Sequence, residues 1–438
     1  MRRRQPSRRH ADRRRFADLV TERLRRHGVT GTITYDGDRF ALQLPTADGT
    51  QHTLPLSDLQ AAYRETPPNR RVLLLDRELW GVAGSLQIPD TITSEEGRQR
   101  LLPRVRSRVY YDFPDPNRVK ASVRPSKAVW PYRLLAEQLA VGLVCDYPIM
   151  AVGVDEDMLA DWGLSVDEAF LLAERNLRAR QELPFQSPRP GVFVSAGQDE
   201  HDATYLWLTD VVRQHEVRGA YVACVPCPGL LVVSGLEEPV GLPTLLDAAE
   251  AAFERDRPVS GLPVCWHEGS WQPLQLPPGH PESRRLRWLH IRSLAADYGT
   301  QGRALNTTGL RVHDGRFVSN YFPVWDRRSG EPESYCMWTQ KVPALLPRTT
   351  LVRFNRPTAS GIYEDLAEGT WERVRQVAGP LLQPLGVYPE RFRVDVFPTD
   401  EQLAAIGPPT TTQHLEYARG WQPDWPGLQG GFVGQRGP

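Results

Sequence analysis

Three clusters of side chains have the types and spacing that chemistry uses. In Asp199-Glu200-His201-Asp202-Ala203-Thr204 an imidazole stands among carboxylates just ahead of a helix predicted over 203–214. Asp202 is placed to cap that helix by accepting hydrogen bonds from its free N–H groups. The same carboxylate, together with His201, has the makings of a general base or a cation site. Asn176 lies inside a well-patterned helix, where an amide is usually solvated or engaged in a specific buried hydrogen bond, with substrate contact as the functional alternative. Arg104, Arg106 and Arg108 alternate along an extended stretch and so share one side of a strand. Such a row binds phosphate or carboxylate groups, or is neutralised by acids across the sheet. A hydrolase-type reaction would need His201 and Asp202, with Asn176 or Arg106, to line one concave pocket.

The cysteines offer a different chemistry. Cys224-Val225-Pro226-Cys227 is a C-x-x-C, but it ends a predicted strand and enters the turn Pro226-Cys227-Pro228-Gly229. It therefore lacks the helix N-terminus that lowers a thiol pKa in redox motifs. Cys265 and His267 lie two apart on one strand face and would complete a Cys₃His zinc set with Cys224 and Cys227. The plainer alternative is small buried side chains with one turn residue, and no metal or cofactor is expected. The sequence has no phosphate-binding loop with its lysine, no G-x-G-x-x-G after a strand, no G-x-S-x-G and no H-E-x-x-H.

Elements that must position these groups follow from patterning. Phe16, Leu19, Val20 and Leu24 predict a short amphipathic helix, with the first dozen residues mobile. Three strands are predicted at 32–35, 40–44 and 51–54, separated by Asp36-Gly37 and Asp48-Gly49 turns. Ser57 with Gln60 reads as a capping box. Pro131 followed by Leu134, Leu135, Leu139 and Leu143 predicts a helix running to about Cys145. A second capping box, Ser165 with Glu168, opens a helix to about Arg180 with Ala169, Leu172, Ala173 and Leu177 inward. Between 192 and 266 the predicted order is strand, helix, strand, strand, helix, strand, the βαββαβ of a ferredoxin-like layer. Beyond a linker at 275–283, strands at 310–312, 316–324, 334–340, 350–354 and 392–397 and a helix over 363–382 predict a further α+β domain. The fold class expected is thus multi-domain α+β. Its divisions are a 1–28 arm with its helix, a 29–100 unit, a 101–274 core, the 275–283 linker, a 284–405 domain and a 406–438 tail expected to wrap loosely or be disordered.

The charge is balanced overall, with 53 basic and 53 acidic residues, which excludes a uniformly basic surface. Residues 1–27 nonetheless hold eleven arginines against Asp12, Asp18 and Glu22, so this segment carries about +8 and the remainder about −8. Arg13, Arg14 and Arg15, with the 104–108 row, make the best case for a nucleic-acid or acidic-partner contact, and a solvated charged face is the plainer alternative, since no aromatic residues are interleaved with the row. Five cysteines fit a reducing cytoplasm better than a disulfide framework. No membrane partner is expected, because charge interrupts the N-terminal apolar residues and no stretch reaches the length of a membrane span.

Several segments, taken together, resemble a known family. Leu102-Pro103-Arg104-Val105-Arg106-Ser107, Trp162-Gly163-Leu164-Ser165 before a helix with Asn176-Leu177-Arg178, Asp199 to Thr204, and Ala223 to Pro226 occur in this order. They resemble the YtpQ-like family of bacterial proteins, which carry a domain of unknown function, over about residues 15–275. Glu200-His201 and the cysteines at 224 and 227 depart from the family pattern. The resemblance implies a cytoplasmic bacterial protein with an α+β core and transfers no catalytic residue. The function expected is non-catalytic binding or regulation, the partner being a protein or other macromolecule. The alternatives are a hydrolase using Asp202 and His201, and nucleic-acid binding through the N-terminal arginines.

Overall fold

The computed structural model describes residues 8–46, 49–86, 88–89, 91–113, 129–147, 151–180, 183–197, 200–253, 258–277, 279–307, 315–358, 363–410 and 415–417. The chain is mixed α+β and divides into two compact units. The first takes Met1–Arg104, Asp115–Arg133 and Val141–Glu182; the second takes Val105–Pro114, Leu134–Ala140 and Leu183–Pro438. The strand predicted at 310–312, the Asp48 half of one turn and the tail beyond Tyr417 lie outside the described residues.

In the first unit a helix spans Arg8–Arg26 and buries Phe16, Ala17, Val20 and Leu24, one stripe at three- and four-residue spacing. It starts within the stretch expected to be mobile. Ion pairs one turn apart, Arg14 with Asp18 and Arg26 with Glu22, support it along its exposed side. The stripe packs on a three-stranded meander of Thr34–Asp36, Ala41–Pro45 and Gln51–Pro55 through Leu42 and Leu44. At the first turn Asp36 Oδ1 accepts from the backbone N–H groups of Asp38 and Arg39, at 3.1 and 3.0 Å. The capping box expected at Ser57 does not form: Ser57 opens the helix Ser57–Glu65 from inside it, and Leu56 stands at the cap position. Burial of Leu56 in the core and its N–H bond to the Phe40 carbonyl fix that start one residue early.

A helix over Arg71–Leu86 forms although Gly81 and Gly84 lower its intrinsic propensity. Its Leu75, Leu79 and Ala83 recur every fourth residue and are buried. Each buried leucine is worth about 1.5–3 kcal/mol, enough to outweigh two glycines. The region expected to be helical from Pro131 is instead two strands, Tyr132–Leu134 and Leu139–Asp146, in a sheet with Leu101–Ser107 and Ala151–Gly153. Every residue from Leu139 to Cys145 is buried, so the run is apolar on both strand faces, a pattern that a short buried helix shares. The second capping box does form: Ser165 and Glu168 exchange bonds and open the helix Val166–Ala179. Phe170, not Leu172, joins Ala169, Ala173 and Leu177 as the buried set.

In the second unit six antiparallel strands lie in the order Ser270–Pro273, Val264–His267, Tyr221–Cys227, Leu230–Gly235, Val192–Ser195, Phe185–Arg189. Strands and helices follow the βαββαβ order along the chain, but their spatial order is not ferredoxin-like. That layer places its first strand between the third and fourth. Here Val192–Ser195 has its second edge filled by Phe185–Arg189, so the fourth strand pairs with the second. The helix predicted over 203–214 is broken into a 3-10 segment, Asp202–Trp207, and one turn, Thr209–Val212. Helix Gly241–Phe253 covers the sheet with Leu242, Leu245, Leu246 and Ala249.

A 25-residue helix, Ser283–Thr307, begins at the end of the predicted linker. Beyond it are a five-stranded sheet, ordered Tyr363–Thr370, Leu351–Pro357, Glu331–Thr339, Phe322–Asp326, Leu415–Tyr417, and a smaller one built on Ala344–Pro347 and Arg391–Val394. The helix predicted over 363–382 starts only at Trp371, where the Thr370 side chain accepts from the Arg373 N–H; the preceding eight residues form an edge strand. Leu415–Tyr417, in the segment predicted to be loose, pairs with Phe322–Asp326. Among the described residues no helix is long and apolar enough to cross a membrane.

Candidate functional site

Asn176 belongs to the first unit, and Arg106, His201 and Asp202 to the second. The Asn176 amide donates to the carbonyls of Arg98 and Leu101, both at 2.9 Å. These are carbonyls released where the helix Ser94–Arg100 passes into the strand Leu101–Ser107, so the amide ties two elements together. His201 and Asp202 are 4% and 1% exposed, in a buried run that continues to Leu206. Asp202 is the first residue of its 3-10 segment rather than its cap, and no side-chain cap bond forms there. A Cβ on Gly197 would come within 2.5 Å of Asp202 Oδ1, so only glycine leaves the carboxylate its place. The Ala203 N–H donates to the Pro228 carbonyl at 2.9 Å, and Thr204 Oγ1 accepts from the Val105 N–H at 3.3 Å. The segment thus locks a turn and a strand together.

The arginine row does not hold its alternation. Arg104 and Arg106 stand on the strand Leu101–Ser107, but Arg108 has turned into helical backbone. There its Nε donates to Asp112 at 3.2 Å and its guanidinium covers the Tyr388 ring at 5.2 Å. On the N-terminal helix Arg13 lies over Phe40 at 4.7 Å, and Arg14 lies over Tyr35 while pairing with Asp18. Arg15 is exposed.

The proposed zinc set does not converge. Cys224 is 1% exposed in the core, while His267 lies at the exposed end of its strand, 3.7 Å from Glu268. Among the described residues no group of three or more His, Cys, Asp or Glu could hold a metal ion. Burial pushes the thiols of Cys224 and Cys265 up, and Cys145 and Cys336 to about 12.

The most concentrated polar chemistry of the second unit lies on a helix that patterning missed. From Ser283–Thr307, Leu289, Ser293, Asp297, Gln301 and Leu305 recur every fourth position and are all buried. Asp297 accepts from the Ser107 hydroxyl at 2.6 Å and from the Tyr388 hydroxyl at 3.2 Å. Burial drives its carboxyl up to about 7, against the opposing pull of those two hydrogen bonds. One turn on, Gln301 accepts from Arg391 Nε and donates to the Pro389 carbonyl at 2.9 Å. Arg391, 2% exposed, also donates to the carbonyls of Ser319 and Leu345, each at 2.9 Å. Without a carboxylate partner among the described residues, its guanidinium is lowered by burial to about 10 and stays charged at neutral pH. The signal available in the sequence was the recurrence of Ser293, Asp297 and Gln301 at four-residue spacing between Leu289 and Leu305.

Compared with known proteins, the chain matches no family model, no curated protein and no solved structure.

Proposed function

We propose that the chain is a non-catalytic binding or regulatory protein that engages another macromolecule in the cytoplasm, with a YtpQ-like core over about residues 15–275 and an added C-terminal α+β region. One observation carries this reading. In the first unit five arginines of the N-terminal helix are engaged within the protein, whereas the guanidinium groups of Arg15 and Arg64, at one groove, have no partner among the described residues. Charge held at the surface without an internal partner is available to an outside one. Asn176, one of the two residues that could complete a hydrolase site with Asp202 and His201, already spends its amide on two backbone carbonyls.

The test is affinity purification of the tagged full chain at low and moderate salt, alongside a screen of the pure protein for hydrolysis of ester, phosphoester and peptide substrates. A reproducible macromolecular partner with no turnover is the expected result. Turnover of a substrate with no partner recovered would overturn the proposal.

A further inference from the structure

We infer that the groove between the N-terminal helix and the helix Ser57–Glu65 docks a short acidic peptide segment carrying an apolar anchor, presented by a partner protein. This rests on the macromolecule-binding reading above and names its partner chemistry. The groove is open, about 330 Å³, and is lined by Asp12, Arg15, Phe16, Leu19, Gln60, Tyr63, Arg64 and Arg71. Its floor is apolar, made by Phe16 and Leu19 with the Tyr63 ring, and three guanidinium groups surround it against the single acid Asp12.

The arginines differ from their neighbours. Arg14, Arg23 and Arg26 each pair with a carboxylate, and Arg25 donates to the carbonyls of Val29 and Gly31. Arg71 is fixed by donating to the carbonyls of Thr66 and Arg64, at 2.9 and 3.2 Å, which leaves its charge uncompensated. Arg15 and Arg64 are exposed, and neither guanidinium has a hydrogen-bond or ion-pair partner among the described residues. Next to Arg71 in sequence, Val72 and Leu73 are 48% and 69% exposed at the start of the helix Arg71–Leu86, outside the groove's lining.

A carboxylate-bearing peptide satisfies both features, through bidentate pairing with arginine and burial of one side chain on the floor. Single-stranded nucleic acid fits less well, because base stacking needs a free aromatic face. Phe16 packs against the Tyr63 ring at 5.4 Å and Arg71 covers it at 5.1 Å.

The experiment selects a phage-displayed library of random decapeptides on the immobilised full chain, then measures labelled copies of enriched peptides by fluorescence anisotropy. Enriched sequences should carry several Asp or Glu around a Leu, Ile or Phe. Binding should weaken by about tenfold or more in Arg15→Glu/Arg64→Glu and in the milder Arg15→Gln/Arg64→Gln, and fall with added salt. Arg375→Glu, at an exposed arginine of the C-terminal helix Trp371–Ala378, should leave it unchanged. Unchanged thermal unfolding of the groove variants separates lost docking from lost folding. Acidic peptides that bind equally well to both groove variants would overturn the groove while leaving a macromolecular partner in place. Selection of no acidic peptide, with binding of a labelled oligothymidine instead, would overturn the peptide assignment in favour of nucleic acid.

Discussion

The Ser107 hydroxyl donates to the Asp297 carboxylate across 2.6 Å, joining residues 190 positions apart. Ser107 ends a strand that carries two arginines, and Asp297 sits midway along the longest helix of the second unit. The contact gives that helix a titratable group held inside the fold.

The first prediction follows from that burial. Asp297 titrates near 7 when folded, well above the ordinary carboxylate value, so the folded state binds the proton over a range where the unfolded chain has released it. Its contribution to stability is fully present below about pH 4 and is lost as pH rises through about 7. Urea unfolding followed from pH 4.5 to 8 should show a loss on the order of a few kcal/mol, and Asp297→Asn should flatten that slope. An unchanged slope in the variant would mean that Asp297 is not the group responsible.

Asn176→Ala should destabilise the first unit. Two carbonyls, those of Arg98 and Leu101, lose their donor, at a cost of about 1–3 kcal/mol for partners left unsatisfied. Chemical denaturation measures this directly; a variant as stable as the parent would return Asn176 to the list of free polar groups.

Gly97→Ala sets two effects against each other. In a helix interior alanine is favoured over glycine by about 1 kcal/mol. A Cβ at residue 97 would, however, lie 2.5 Å from the Trp162 ring, which is buried and held by its indole N–H bond to the Ile92 carbonyl. Overpacking of about 1–3 kcal/mol should win, and the thermal midpoint should fall. A rise would show that the ring moves aside cheaply.

Thiol accessibility gives a fourth test. Cys145, Cys224 and Cys336 are buried with pKa values pushed far above the ordinary thiol, whereas Cys227 and Cys265 are partly exposed. Ellman's reagent at pH 8 should therefore titrate at most two thiols in the native chain and all five in denaturant. Fast reaction of a third would place one of the buried set in a mobile region.

What could be read from the sequence was local. The Ser165–Glu168 box and the strand Val192–Ser195 each hold their signal within a few residues and appear as predicted, while the turn signalled by Asp36-Gly37 falls one residue later, with Asp36 still paired to Ala41. Leu139–Asp146 misled because apolar residues on every position carry no period. The spatial order of the central sheet was hidden for another reason: it depends on which strand occupies the free edge of Val192–Ser195, a competition settled by the hairpin with Phe185–Arg189. The site residues divide in the same way. Asp202 was found from its place before a helix, but its role changed once that helix broke. The four-residue recurrence that contains Asp297 gains its meaning only because Ser283–Thr307 is one continuous helix.

The two units are each assembled from separated stretches of chain, and this constrains any attempt to cut the protein in two. A fragment starting at Leu183 keeps Asp297 and Tyr388 but loses Ser107, and with it Val109 and Phe113 from the cluster that packs around Tyr388, Leu305 and Leu345. Such a fragment would be a domain missing its own keystone. During synthesis, likewise, residues 105–113 leave the ribosome long before the helix that receives them, and must wait for almost two hundred more residues to emerge before they find their place.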